Sequence, residues 1–323
     1  MNPSRMNRAI SFAVAIGMMV PLAAAAPAPL LAHPPAAELP AEWTAAPSIP
    51  LWPKGRLPEV QAKPPVSIPK MPKVFMQGIA APSLRLFRPE KSNGRAILVI
   101  PGGGYFFVSV GNEGVDVARR FNRLGYTVYV LVYRLPGEGW ADRADVPLQD
   151  ARRAVRLIKS RAATDGFDAG HIAAMGFSAG GHLAASLATD DSADTPVDAI
   201  DRLSARPQAV GLIYPVITMG EKTNGPSRML LLGREPSAEL VERRSTERHV
   251  GPSTPPLFLF HSVDDTTVPV ENSQMMFEAM RAAKRPVEMH LVQEGGHGYG
   301  TGFAGTPSAM WPELFDAWLS RQP

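Results

Sequence analysis

Acyl transfer by a serine hydroxyl needs a base to remove its proton, a group to orient that base, and donors aimed at the oxygen on which charge develops. The segment Gly176-Phe177-Ser178-Ala179-Gly180 offers the nucleophile in the G-x-S-x-G spacing, directly after the apolar run Ile172-Ala173-Ala174-Met175. Small residues two places either side of the serine let a strand turn sharply into a helix, because a side chain there would strike the neighbouring strand or the helix itself. Such a turn holds the Ser178 hydroxyl clear of the backbone. In a chain with 28 glycines the spacing also arises by chance. Its weight therefore depends on whether an acid, a histidine and oxyanion donors stand where the chemistry needs them.

On an elbow of this kind the acid and then the histidine follow the serine, each after a later strand. Seven histidines can be tested against that order. His33 and His171 precede the serine, and His182, one turn into the helix after it, is read as packing or capping beside the elbow. His249 closes a stretch without strands, and His261 ends a strand that precedes the candidate acid. His290 sits inside Val287-Glu288-Met289-His290-Leu291, on the face opposite its apolar neighbours, as a structural strand histidine would. His297 stands in a glycine-rich loop past the last strand, Glu294-Gly295-Gly296-His297-Gly298, and is the candidate general base rather than a surface-loop histidine.

Two acids stand side by side in His261-Ser262-Val263-Asp264-Asp265-Thr266-Thr267-Val268-Pro269. Adjacent turn residues point in different directions, so one of them meets His297. Asp265 is the candidate, because Val268-Pro269 packs the loop onto the next helix and leaves this carboxylate at the tip; Asp264 is read as a turn-capping carboxylate. The oxyanion donors are expected from the amide of Ala179, just after the nucleophile, and from Gly103 and Gly104 in Pro101-Gly102-Gly103-Gly104-Tyr105. Consecutive glycines let backbone N–H groups approach a substrate; the plainer alternative is a flexible turn. A phosphate-binding loop is excluded because the lysine-serine/threonine ending is missing. For substrate contact the candidates are Tyr105, beside the glycines, and Met219, which with Met229 and Leu230 to Leu232 lines an acyl pocket or else forms a local core.

These residues need a sheet to hold them. Residues 83–87 alternate like an edge strand, and 96–100 form a continuous apolar run expected of a strand buried on both faces. Helical spacing over 113–124 and 148–162 alternates with strand patterns at 127–133, 172–177, 209–214, 257–261 and 287–291, with further helices at 180–188, 271–283 and 311–321. This rhythm predicts a doubly wound, mainly parallel α/β sheet. It breaks between 215 and 255, where only short helical pieces are expected, as in a lid or flap over the strand ends.

The 323 residues, 45% hydrophobic and 20% charged, suffice for one large core. Net charge is +3 without a basic stripe, which excludes nucleic-acid binding, and the lack of cysteine excludes disulfides, thiolate metal sites, a cysteine nucleophile and a lipoprotein anchor. Residues 1–32 combine Arg5 and Arg8 with an apolar run and an alanine-rich end, the pattern of a secretory signal peptide. Pro21 and the shortness of the run argue against a membrane anchor. Export makes the mature chain periplasmic or secreted. Residues 33–72 are rich in proline and read as an extended segment, docked on the body through 49–53, before a catalytic domain at 73–323.

Pro-Gly-Gly-Gly-Tyr at 101–105, Glu113-Gly114, Tyr133-Arg134-Leu135-Pro136, Asp150-Ala151-Arg152-Arg153-Ala154, the elbow, and Gly-Gly-His-Gly at 295–298 together resemble bacterial α/β hydrolases related to acetyl xylan esterases and feruloyl-esterase-like domains. The resemblance runs from residue 49 to the C-terminus. It implies the α/β-hydrolase fold, a Ser178, Asp265 and His297 triad, no cofactor or metal, and hydrolysis of small acyl esters, often acetyl groups on plant-wall carbohydrate. Pro101 stands where hormone-sensitive-lipase-like esterases carry histidine before the three glycines, so that branch is a poor guide. The rival readings are a serine peptidase of prolyl-oligopeptidase type, which lacks room here for its propeller, and a non-catalytic binding protein of the same fold, which would be expected to lack a triad member. N-terminal sequencing of exported protein is expected to begin after Ala26 or Ala32, and a mature chain that keeps Arg5 and Arg8 would count against the signal peptide.

Overall fold

Apolar runs that must be covered on both faces occupy the middle of the sheet. The computed structural model describes residues 38–58 and 71–322; the expected signal peptide lies outside them. The short helix α1 (Ala41–Ala45) leads to strand β1 (Ser48–Pro50), followed by β2 (Phe75–Met76), β3 (Ser83–Phe87), β4 (Ala96–Ile100) and β5 (Val108–Ser109). A π-turn at Gly111–Val115 runs into α2 (Asp116–Asn122), and β6 (Thr127–Val132), α3 (Val146–Asp165), β7 (Ile172–Phe177) and α4 (Ser178–Thr189) follow. The chain continues through β8 (Ala209–Ile213), α5 (Gly225–Leu232), α6 (Ala238–Arg244), β9 (Leu257–Ser262), α7 (Glu271–Ala282), β10 (Val287–Val292) and α8 (Trp311–Leu319).

Eight strands form one sheet in the order β1-β3-β6-β4-β7-β8-β9-β10, and β2 pairs with β5 beside it. Every pairing from β6 through β10 is parallel, while β3 runs antiparallel to both of its neighbours. This is the α/β-hydrolase fold. Its consequence for chemistry is geometric: the loops after β4, β7, β9 and β10 all leave the same edge of the sheet, where parallel strands present their carboxyl ends.

Three expectations need correction. Residues 83–87 are not the sheet edge, because β1 pairs outside them, Ser48 opposite Arg85. An edge position tolerates Pro50, whose missing N–H costs no ladder bond when it faces outward. The proline-rich segment is not extended throughout, since Ala41–Ala45 makes a helical turn that buries Trp43 beneath the Arg85 guanidinium, 5.2 Å from the ring centre. The helix expected over 113–124 opens instead with the π-turn. A tryptophan or leucine in a proline-rich stretch gains by leaving water, and residues 51 and 52 do so: Leu51 is buried, its carbonyl accepts from Arg153 Nε at 2.8 Å, and Trp52 Nε1 donates to Asp150 Oδ1 at 2.8 Å.

Residues 215–255 hold α5 and α6 and no strand. Hydrogen bonds fasten the region to the strand ends. Asn224 Nδ2 donates to the Thr267 carbonyl at 2.9 Å, and Asn272 Oδ1 accepts from the N–H groups of Ile217 and Thr218 at 2.9 and 3.2 Å.

Helix α4 starts against bare backbone. A Cβ on Gly180 would lie 2.2 Å from the Ile100 carbonyl oxygen and 2.4 Å from that of Pro101, and neither can retreat without breaking β4. Gly180→Ala is therefore expected to lower the thermal midpoint by roughly 5 °C or more, from an overpacking cost of about 1–3 kcal/mol. Gly225→Ala, whose new methyl meets nothing within 4 Å, should leave it within about 2 °C; differential scanning calorimetry checks both.

Candidate active site

Ser178 sits at the junction of β7 and α4 with φ +52°, in the left-handed region that a side chain other than glycine occupies only when its surroundings force it. The force comes from packing. A Cβ on Gly176 would lie 2.2 Å from the Gly180 carbonyl oxygen, so the strand and the helix can meet at this angle only if both positions lack side chains. The serine carbonyl accepts from the Val216 N–H at 3.0 Å, which anchors the turn to the start of the 215–255 region.

The loops after β9 and β10 bring two more side chains to the serine. His297 Nε2 lies 2.8 Å from Ser178 Oγ, and His297 Nδ1 lies 2.6 Å from Asp265 Oδ2. The carboxylate accepts only, so Nδ1 carries the proton and Nε2 presents a lone pair to the serine hydroxyl. Asp265 Oδ1 accepts from the N–H groups of Thr267 and Val268 at 2.8 and 2.9 Å. Burial alone would raise the Asp265 carboxyl, but hydrogen bonds from His261 and His297, the charge of His297 and the Val268 N–H outweigh it and hold the group well below the ordinary carboxylate range.

Asp264 points away from the histidine ring. Its oxygens accept from the N–H groups of Gly295 and Gly296 at 3.3 and 2.8 Å, so it caps the loop that carries His297 rather than only its own turn. His261, excluded as the base by chain order, lies fully buried behind Asp265. Its Nε2 faces Asp265 Oδ2 and the Val268 carbonyl, both at 3.1 Å, and its Nδ1 faces Ser273 Oγ at 2.8 Å. With two acceptors at Nε2, that nitrogen is the donor and the serine hydroxyl supplies Nδ1. Sequence order could not assign this role, although the four-residue spacing from Asp265 hints at proximity.

In the glycine loop after β4, Gly103 and Gly104 have φ +126° and +63°, and Tyr105 has φ +61°. Among the described residues no protein acceptor takes the N–H of Gly103, Gly104 or Ala179, the last an orphan donor of the first turn of α4. Gly102 differs, for its N–H is taken by Glu113 Oε2 at 2.7 Å. A Cβ on Gly102 would lie 2.9 Å from that of Ser178, which shows how closely this loop passes the serine. The N–H groups of Gly103 and Gly104 are thus free in the loop beside Ser178, whereas that of Gly102 is not.

The two substrate-contact expectations are corrected. Tyr105 is 1% exposed and its hydroxyl lies 2.8 Å from His182 Nδ1, so it braces the loop from behind. His182 Nε2 in turn faces the Arg244 carbonyl at 2.8 Å, and burial lowers this histidine to about 4, leaving it neutral. Met219 is 0% exposed, with its N–H donated to Ser245 Oγ at 3.0 Å, and it belongs to the core. Neither side chain reaches open space. Among the described residues, the exposed large apolar side chains nearest in sequence to the site are Phe106, after the glycine loop, and Val263, two residues before Asp265. No group of three or more carboxylate and histidine side chains among the described residues is placed to hold a metal, and no helix there is long and apolar enough to cross a membrane.

A serine on a strained elbow, hydrogen-bonded through histidine to a buried carboxylate at the carboxyl edge of a parallel sheet, marks an α/β hydrolase. Residues 84–280 match the BD-FAE family, and the chain belongs to it. It is 39% identical over 204 residues to the endo-1,4-beta-xylanase B of Butyrivibrio fibrisolvens, covering 62% of this chain and 32% of that protein. It is 33% identical over 221 residues to the acetylxylan esterase of Xylanibacter ruminicola, covering 67% of this chain and 43% of that one. The chain thus spans less than half of the length of either relative. The acetyl ester-xyloside bifunctional hydrolase of Caldicellulosiruptor lactoaceticus superposes with a TM-score of 0.73 at 33% identity, covering 85% of this chain and 96% of that structure.

The different partners of the adjacent aspartates separate their mutants. Asp265→Asn, which gives His297 Nδ1 an amide to face, is expected to reduce kcat for ester hydrolysis on the order of 10³–10⁴-fold. Asp264→Asn keeps an oxygen for the Gly296 N–H and should stay within about tenfold of wild type. Steady-state kinetics of the two variants decides, and the reverse ranking refutes the assignment of the acid.

Proposed function

We propose that the protein is an exported serine carboxylesterase that removes short acyl groups, acetyl above all, from carbohydrate such as acetylated xylan, without a cofactor. The observation that carries this reading is the unbroken chain from Ser178 Oγ through His297 to Asp265, at 2.8 and 2.6 Å, beside unpaired N–H donors. The relatives named for acetylxylan esterase and acetyl ester hydrolysis support the choice of acyl group and of carbohydrate.

In this proposal Ser178 Oγ attacks the ester carbonyl carbon while His297 Nε2 takes the hydroxyl proton. The carbonyl oxygen becomes an oxyanion facing the N–H groups of Ala179, Gly103 and Gly104, whose directions are set before the substrate arrives. Asp265 holds the ring and stabilises the imidazolium that forms. The imidazolium then protonates the departing sugar oxygen, leaving the acetyl group on Ser178. Water enters, gives its proton to His297 and attacks the acyl carbon, and the return of that proton to Ser178 Oγ releases acetate.

Purified protein is expected to release p-nitrophenol from the acetate ester faster than from the octanoate, and Ser178→Ala to cut the rate on the order of 10⁴-fold or more. Acetate release from acetylated xylan, measured beside a feruloyl ester and a peptide panel, tests the substrate. Peptide cleavage with no acetate release would favour the peptidase reading. No turnover of any of them would favour a binding protein.

A further inference from the structure

Glu113 is a buried carboxylate that the reaction scheme leaves unused. It sits in the π-turn ahead of α2, and such turns recur where a helix has been deformed to place a side chain. Its two oxygens face two parts of the site. Oε2 accepts the Gly102 N–H at 2.7 Å, at the root of the glycine loop, and Oε1 accepts the Tyr214 hydroxyl at 2.9 Å. That hydroxyl in turn accepts the Gly300 N–H at 3.0 Å, in the segment that follows His297. The Tyr214 ring stands edge-on to the His297 ring with centres 4.9 Å apart, and Tyr214 itself is held at φ +38°. The Gly300 carbonyl accepts from Trp311 Nε1 at 2.9 Å, which fixes the far end of the same segment.

Resting on the esterase reading, we propose that Glu113 is a positioning residue that sets the oxyanion loop and the base loop in one register, through Gly102 on one side and Tyr214 on the other. The donor pattern requires a carboxylate. The Gly102 N–H can only donate, and the Tyr214 hydroxyl, already accepting from Gly300, must donate its own hydrogen onward. Glutamine offers a single acceptor oxygen, so one of these buried hydrogens is left without a partner, and the loop that owns it shifts. The acceptor is thus shared by the loop that meets the oxyanion and the loop that carries the base, and a displacement of either is felt in the transition state more than in binding.

The negative charge adds a second signature. Burial raises the Glu113 carboxyl, the Tyr214 and Gly102 hydrogen bonds oppose this, and the charge of His297 lowers it too, so the two groups sense each other. The ionisable groups facing the His297 ring are Asp265 after β9, with His261 behind it, Tyr214 after β8, and Ser178. A carboxylate near the ring favours imidazolium. Removing its charge makes the protonated ring less favourable and moves the acid limb of kcat/KM to lower pH.

Glu113→Gln, Tyr214→Phe and the double variant are assayed on p-nitrophenyl acetate. Each single variant is expected to lose about 10- to 100-fold in kcat with KM changed less than threefold. The double variant should lose little more than the worse single one, since both break one bridge. Glu113→Gln alone should move the acid limb downward, which a purely structural role does not produce. Tyr214→Phe keeps the ring against His297, so it carries the test even if Glu113→Gln does not fold. An active wild type with both folded variants, or Tyr214→Phe alone where Glu113→Gln does not fold, within twofold of its kcat overturns this inference and leaves the esterase reading standing. A wild type that turns over no ester overturns the esterase reading itself.

Discussion

The close approach of backbone to backbone beneath Ser178 is the constraint on which the rest of the site depends. Helix α4 can begin where it does only because Gly176 and Gly180 carry no side chain, with carbonyl oxygens 2.2 Å from where their Cβ atoms would be. That contact turns the chain through the left-handed region at Ser178 and presents its hydroxyl to the loop after β10. The same absence at Gly102 lets the glycine loop pass alongside. A strained serine is tolerable here because a fully buried strand, a helix and the end of β4 over-determine the turn through their packing.

Around this turn the protein manages two buried carboxylates in opposite ways. Asp265 has donors on both oxygens from two histidines and two backbone N–H groups, and it is held ionised beside His297. Glu113, deeper and with fewer donors, lies on the other side of the site and is tied to glycine and tyrosine. A parallel sheet makes this division possible, because each carboxylate arrives from a different crossover while its partners come from neighbouring strand ends. The 215–255 region completes the frame from outside. Its hydrogen bonds to Thr267 and Asn272 fasten it to the segment that carries Asp265, so the element expected as a flap is stitched to the carboxyl edge of the sheet.

Much of the fold was legible because parallel strands leave a plain signature. Apolar runs such as 96–100 and 172–177 must be covered on both sides, and the helices between them show one apolar face. What misled the reading was local context that only distant partners supply. Residues 83–87 alternate like an edge strand, yet a segment thirty-five residues earlier takes the edge through Ser48 opposite Arg85. Proline content argued against helix at 41–45, but Trp43 found a buried place under Arg85, and burial outweighed propensity. Tyr105 looked like a substrate contact from its position after three glycines; its φ of +61° swings it inward to His182.

The sequence by itself determined the chemistry on offer and its order. A serine between small residues, then two aspartates, then a histidine among glycines define one set of candidates, because each type and spacing answers a requirement of acyl transfer that local sequence can express. Tertiary structure alone decided how the neighbours divide the work. Val268-Pro269 already singled out Asp265 to face the imidazole, but only the position of Gly296 across the strand ends gives the adjacent Asp264 the loop that carries His297. The roles of His261, Tyr214 and Glu113 are likewise set by contacts between residues far apart in the chain, and such contacts are fixed by the packing of the whole sheet rather than by any stretch of it.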